Sequence, residues 1–262
     1  MSLKLKRVLK ISGIVVGAVV VLIVGAAIYL LGPIFITGRP PVDGFEVQGI
    51  RMLRTTMVSL AVVPIGPSEV VLIDGGLDAS GAAVLSELSR RNLGPEAVKA
   101  ILVTHGHGDH TSAVQAFPEA DVMALDAEVG LLEGGSQGVA IKVTSPLHDG
   151  QTVTFGNTEI RVYATPGHTR GHAAYVVNGV LFLGDAALVR RDGTLRNAPA
   201  LLSEDDDQNT ASLVRLYDRL MREQVEIKAI ACAHSPVLTN GITALAAFAQ
   251  TNGGERTAPA GG

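Results

Sequence analysis

Thr104-His105-Gly106-His107-Gly108-Asp109-His110 follows the apolar run Ala100-Ile101-Leu102-Val103, and it decides the reading of the whole chain. Four metal-ligating side chains fall within six positions, in a chain of 262 residues that has only seven histidines. In an extended segment alternate side chains share a face, so His105, His107 and Asp109 are placed to converge. His110 has the opposite parity and points elsewhere unless the chain turns. Gly106 and Gly108 favour such a turn, because glycine accepts backbone angles closed to other residues. Thr111 to Phe117 reads as a short helix stopped by Pro118. Asp109 and His110 then stand at a helix start, where the dipole favours anions. One short segment thus offers ligands in two directions, as a pair of neighbouring metal ions requires. The bland alternative is a solvated polar loop. A chance match to His-x-His-x-Asp-His in a chain so poor in histidine has a probability on the order of one in several thousand.

Four further candidates stand at the ends of apolar strands. Asp74 follows Val70-Val71-Leu72-Ile73, and His168 follows Tyr163-Ala164-Thr165 through the turn Pro166-Gly167. Asp185 follows Leu181-Phe182-Leu183-Gly184, and His234 follows Ala229-Ile230-Ala231-Cys232-Ala233. Strand ends lie at the edge of a core, where loops build sites. A lone histidine there is more often structural. Five such ends, counting that of His105, all carrying metal-ligand residue types, are hard to explain that way.

The bulk numbers agree with an enzyme-like domain. Thirty glycines with 47% hydrophobic residues suit a loop-rich α/β domain. The net charge of -4 argues against a nucleic-acid surface, which shows a clustered basic face. Aromatics are 4% and tryptophan is absent, which disfavours stacking platforms. The single cysteine, Cys232, excludes an intramolecular disulfide and reads as a small buried hydrophobe.

Residues 1–10 form a basic terminus carrying Lys4, Lys6, Arg7 and Lys10. Residues 11–31 then run without a charge, long enough for a transmembrane helix, which needs about 20 apolar residues. A cleaved signal peptide has an apolar region of only about 7–15 residues with a small-x-small end. This run is longer and ends in Ile28-Tyr29-Leu30-Leu31, so an uncleaved signal-anchor is expected. The positive-inside bias predicts a cytoplasmic N-terminus and a catalytic domain on the extracytoplasmic side of the membrane. Residues 32–44, with Gly32-Pro33 and Gly38-Arg39-Pro40-Pro41, read as a linker. The domain itself is expected over residues 45–250. Thr251 to Gly262, polar and rich in Gly and Pro, is expected to be disordered.

Within the domain, strands are predicted over Phe45–Met52, Thr55–Val63, Glu69–Ile73, Ala100–Val103 and Asp121–Leu125, and again over Thr152–Phe155, Glu159–Thr165, Ala173–Val177, Val180–Leu183 and Glu226–Ala231. Helices are predicted over Ala79–Asn92, Ala127–Glu133, Asp207–Arg222 and Thr243–Gln250. Asn178-Gly179 is a strong hairpin signal. Glu204-Asp205-Asp206-Asp207 reads as a cap and solvated helix start. Gly134 to Val139 and Arg190 to Asp207 are expected to shape a pocket. The order of elements suggests two halves, with sheets packed together and helices outside.

Five pieces, in order along the chain, resemble the metallo-β-lactamase fold superfamily: Ile73-Asp74-Gly75-Gly76, Thr104 to His110, Thr165-Pro166-Gly167-His168-Thr169-Arg170-Gly171-His172, Leu183-Gly184-Asp185 and Ala233-His234-Ser235. The resemblance covers about Arg54 to Ala249. It implies an α/β, four-layer αβ/βα sandwich with a two-metal site along one edge of the sheets. It also implies a division of ligands. His105, His107 and His168 would hold one metal, Asp109, His110 and His234 the other, and Asp185 would bridge them. Asp74 is expected to steady the loop and orient ligands, and His172 reads as structural or as a similar support. His148, beside Asp149-Gly150, reads as an exposed turn residue.

Imidazole and carboxylate ligands suit two Zn2+, with Fe or Mn as alternatives. The function implied is hydrolysis. A metal-bridging hydroxide would attack an ester, lactone, thioester or amide carbonyl of a small-molecule substrate, with Asp109 orienting it and moving a proton. The Thr-Pro-Gly-His-Thr-x-Gly-His stretch is similar to the glyoxalase II-like thioesterase and lactonase branches. Two alternatives are a phosphodiesterase and a mononuclear iron, persulfide dioxygenase-like oxidoreductase. A third is a non-catalytic member, although such members usually lose ligands and none is missing here. Fold analogy alone does not choose among them.

Overall fold

A computed structural model describes residues 40–135 and 139–253, together with positions 17, 19–22 and 25. The described positions between 17 and 25 are helical and exposed. Among the described residues no helix is long and apolar enough to cross a membrane. The span expected over 11–31 lies for the most part outside them, as do residues 1–10, 32–39 and 254–262.

The domain contains two large sheets. The first has seven strands in sequential order: β1 (Phe45–Val47), β2 (Ile50–Thr55), β3 (Val58–Pro64), β4 (Val70–Ile73), β5 (Val98–Leu102), β6 (Asp121–Leu125) and β7 (Ser145–Leu147). Its first four strands are antiparallel; β4 to β7 pair in parallel. The second sheet holds β8 (Thr152–Phe155), β9 (Thr158–Ala164), β10 (Ala173–Val177), β11 (Val180–Gly184) and β14 (Ala229–Cys232), in the order β14-β11-β10-β9-β8. A two-stranded ribbon of β12 (Ala187–Val189) and β13 (Leu195–Asn197) completes the strands. The helices are α1 (Ala82–Arg90), α2 (Gly108–Thr111), α3 (Asp126–Glu133), α4 (Asp206–Arg222) and α5 (Gly241–Asn252).

Side-chain alternation sorts the core into three slabs. Ala61 and Val63, Val71 and Ile73, and Ala100 and Leu102 face Val162, Tyr175 and Phe182 of the other sheet. Their neighbours Leu60, Val62, Leu72 and Ile101 point outward onto Val84 and Leu88 of α1. Tyr163, Val176, Leu181 and Leu183 point outward onto Leu213, Leu216 and Leu220 of α4 and Leu245 of α5. Three apolar slabs separate four layers: helices, sheet, sheet, helices. The period of two along each strand is what lets one strand supply both of its neighbouring slabs.

Several sequence expectations need correction. Phe45–Met52 is not one strand: Gln48 (φ 50°) and Gly49 (φ 77°) make a tight turn between β1 and β2. Two consecutive positive-φ residues fit the twist of a two-residue hairpin. Asn178 (φ 52°) and Gly179 (φ 77°) do the same between β10 and β11, as predicted. The helix expected over Thr111–Phe117 starts earlier, as α2, and gives way to a 3-10 turn at Val114–Ala116. The strand expected over Glu226–Ala231 is Ala229–Cys232. Residues Thr251 and Asn252, assigned to the disordered tail, are the last turn of α5, where Asn252 donates its side-chain amide to the Phe248 carbonyl at 2.8 Å. β7, β12 and β13 are three residues each, too short to leave a periodic signal. The acidic run before α4 behaves as read: Asp205 caps it, accepting from the Gln208 N–H at 2.8 Å.

Tyr175 is fully buried between the sheets, and its hydroxyl donates to the Val103 carbonyl at 2.7 Å. Tyr175→Phe removes that donor and leaves a buried acceptor behind. A loss of about 1–3 kcal/mol is expected in urea unfolding, with the midpoint lowered and the slope unchanged.

Candidate metal centre

Asp74, His105, His168, Asp185 and His234 each follow the C-terminal end of a strand: β4, β5, β9, β11 and β14 respectively. β4 and β5 run parallel, as do β11 and β14, so these ends gather at one edge of the sandwich. The two halves are stitched there by the Ala173 N–H to the Thr104 carbonyl (2.8 Å) and the Ser59 N–H to the Ala233 carbonyl (2.8 Å).

Two groups of donors result. His105, His107 and His168 offer one ligand atom each, all within 4.8 Å of one another. Asp109, His110, Asp185 and His234 do the same. In the first group His168 Nε2 faces His107 Nδ1 at 3.1 Å. Asp185 stands between the groups. Its Oδ1 lies 3.3 Å from His110 Nε2, and its Oδ2 lies 3.2 Å from His234 Nε2 and 3.7 Å from His168 Nε2. Asp109 Oδ2 lies 3.1 Å from His234 Nε2. All seven residues expected as ligands therefore lie together, in two groups, with Asp185 counted in the second.

The inner ring nitrogens are held by the protein, which aims the outer ones. Asp74 sits in the left-handed region at φ 65°, unusual for a residue with a side chain. That conformation turns its carboxylate back to accept the Thr104 N–H (2.7 Å) and hydroxyl (2.9 Å) and to meet His110 Nδ1 at 2.8 Å. The Thr104 oxygen lies 3.1 Å from His105 Nδ1. His234 Nδ1 donates to the Met57 carbonyl at 3.0 Å, and His168 Nδ1 lies 3.2 Å from Ser203 Oγ. Asp74 and the Met57 carbonyl can only accept, and the Thr104 hydroxyl already donates to Asp74, so His110, His234 and His105 carry a proton on Nδ1 and turn Nε2 towards the site.

Neither Gly106 nor Gly108 uses a positive φ, contrary to the role expected of them. Space is tight at Gly106 instead: a Cβ there would lie 3.1 Å from Leu131 and 3.3 Å from Glu128 Oε1. Gly184 does use one (φ 48°), and a Cβ on it would meet His172 Nε2 and Thr104 Oγ1 at 2.8 Å. His172 is buried under the first group, 2.8 Å from Thr165 Oγ1, and is not in either donor set. His148 is exposed, as read. Sequence reading missed the Met57 carbonyl, which carries no side-chain signal. It also missed Ser203 and Glu128, whose partners lie 35 and at least 22 residues away and share no local pattern with them.

The donor set fits metal ions. His105 Nε2 is buried without a hydrogen-bond partner, and His110 Nε2 and Asp185 Oδ1 have only each other, at 3.3 Å; a cation would take up these donor atoms. The electrostatics of the two groups differ. Burial holds His105 and His107 below the usual histidine range and lowers His168 to about 4. Burial also opposes charge on His234, but Asp185 and Asp109 outweigh it and raise His234 to about 10. His110 is raised by Asp185 and Asp74 in the same way, despite complete burial. Burial would raise Asp185; the charges of His234 and His110 hold it well below the usual range.

At neutral pH the metal-free trio is therefore neutral, whereas His110 and His234 each carry a second proton that a cation must displace. Zinc binding to the trio is expected to change little between about pH 6.5 and about pH 8, while binding to the second group tightens as pH rises. Calorimetric titration in buffers of different ionisation enthalpy checks this; equal proton release at both steps would contradict it.

A sequence profile of the family described as the metallo-beta-lactamase superfamily matches residues 54–234. The chain is 30% identical over 199 residues to a hydroxyacylglutathione hydrolase of Edwardsiella ictaluri, covering 74% of this chain and 68% of that protein. It is 32% identical over 171 residues to one of Serratia proteamaculans, covering 65% of this chain and 59% of that protein. Among solved structures, the BLEG-1 B3 metallo-beta-lactamase superimposes with a TM-score of 0.55 at 27% identity, over 74% of this chain and 95% of that one. With the profile spanning the strand ends from Asp74 to His234, the chain belongs to the metallo-beta-lactamase superfamily.

Proposed function

We propose that this protein is a two-metal hydrolase that cleaves the thioester of a small acyl substrate. The observation that carries the proposal is the position of Asp185, within reach of both donor groups. The relatives whose printed name is hydroxyacylglutathione hydrolase support a thioester over the ester, lactone and amide also open to this chemistry. His105, His107 and His168 would hold one ion, Asp109, His110 and His234 the other, with Asp185 shared; zinc suits this mixed nitrogen and oxygen set. When bound, such a pair supplies Lewis acidity and brings the pKa of a coordinated water towards neutrality.

The protein's own part in the reaction falls largely to Asp109. It is the most open of the three site carboxylates, with 28% of its side chain exposed. In the metal-free protein burial would raise its pKa, but the hydrogen bond from His234 and the charge of His110 lower it, and it is ionised; cations replacing those protons would keep it so. It is placed to orient the attacking water, take its proton as oxygen bonds to the carbonyl carbon, and pass that proton to sulfur as the C–S bond breaks. The products are a thiol and a carboxylic acid, which ionises to the carboxylate and releases its proton to solvent. The complete second donor group, Asp109 with His110 and His234, favours two metals over the mononuclear iron reading.

We also propose that residues 11–31 anchor the enzyme in a membrane, with the domain on the extracytoplasmic side. The charge-free run and the four basic residues before it support this reading.

The test is a substrate panel of a hydroxyacyl thioester of glutathione, a lactone, a β-lactam and a phosphodiester, with His107→Ala as control. Thioester turnover is expected to dominate and to fall to background in the control. Turnover of the phosphodiester alone would overturn the assignment. A second expectation concerns metal removal: chelation abolishes turnover, and zinc restores it better than manganese or iron.

A further inference from the structure

Glu128 is fully buried, on the first turn of α3, and belongs to neither donor group. Its Oε1 accepts the Gly106 N–H at 2.7 Å. Its Oε2 accepts the Thr169 hydroxyl at 3.0 Å and the Gly171 N–H at 2.9 Å. Gly106 lies between His105 and His107, and Thr169 follows His168. One carboxylate therefore holds the neighbours of all three residues of the first donor group, and it joins two loops that are distant in sequence. The loops are shaped for it. A Cβ on Gly171 would lie 2.2 Å from the Glu128 backbone nitrogen, and one on Gly106 would lie 3.3 Å from its Oε1. The second group has its own supports, Asp74 beneath His110 and the Met57 carbonyl beneath His234.

We infer that Glu128 is a positioning residue, a clamp that sets the distance between the His105–His107 loop and the His168 loop and so tunes metal affinity at that group alone. This rests on the metal-binding reading of the site. All three partners of Glu128 are donors, so the clamp needs acceptors on both of its terminal atoms. A glutamine of the same size supplies one acceptor oxygen and turns an N–H towards a donor on the other side. The loops would keep their fold but lose their mutual spacing.

The full-length chain is stripped of metal and titrated with zinc against a chromophoric chelator in two backgrounds. His234→Ala leaves the trio as the intact group; His107→Ala leaves the other. Glu128→Gln is expected to weaken zinc binding by about 10–100-fold in the first background and to leave it unchanged in the second. Thr169→Val, which removes one of the three donors, should weaken it less and in the same background only. It decides the matter if Glu128→Gln does not fold. An equal loss in both backgrounds, or none in the first, would overturn the clamp. Absence of zinc binding by either background without the Glu128 change would instead overturn the metal-centre reading.

Discussion

Six imidazole rings share one small region of this protein, and their mutual repulsion and desolvation are the constraint the site must answer. His105 and His110 have ring centroids 4.1 Å apart, and His110 and His234 are 5.9 Å apart. So many rings cannot all be charged in a buried place. The answer is a division of labour. The trio is largely buried and neutral, and its donor atoms converge. The other two ligating rings sit against Asp74, Asp109 and Asp185, whose negative charges offset theirs. A pair of divalent cations would satisfy both halves at once, taking the lone pairs of the first and replacing the protons of the second.

The sandwich makes this arrangement rigid. Ligands leave from strand ends that are locked into the sheets by ladder hydrogen bonds and by apolar slabs on both faces. Loops carry the reactive groups, but each loop is pinned close to its ligand. Asp74 takes a left-handed backbone to reach beneath His110. Gly184 takes another to pass under His172 and Thr104 and deliver Asp185. These positions tolerate local strain because the strands before them are fully buried.

Much of this was legible in the residues. His105, His107, Asp109 and His110 announce themselves by composition and spacing. Asp74, His168, Asp185 and His234 are marked by the apolar strands before them. The long amphipathic helix α4 and the Asn178-Gly179 hairpin were readable because their signals are local. What failed was non-local or short. The turn at Gln48-Gly49 splits a stretch in which apolar residues alternate with polar ones on both sides of the turn. The ribbon of β12 and β13 has too few residues for a period. Glu128 looks like an ordinary acid near a helix start, where it would be solvated; only the folded chain brings two glycine-bearing loops against it.

The pairing of β14 with β11 has a consequence for how the protein comes into being. Ser59, on the first sheet, bonds to the Ala233 carbonyl across 174 residues of chain. β14 is the last strand in sequence, and His234 leaves from it. During synthesis both donor groups wait for residues well beyond β9: the His168 loop is held by Ser203 and by the Glu204 and Asp205 N–H groups, and His234 leaves from β14. Such distant contacts form late, because the loop they close is entropically expensive. The order of the strands along the chain therefore makes closure of the donor groups a late event, tied to the docking of β14 beside β11.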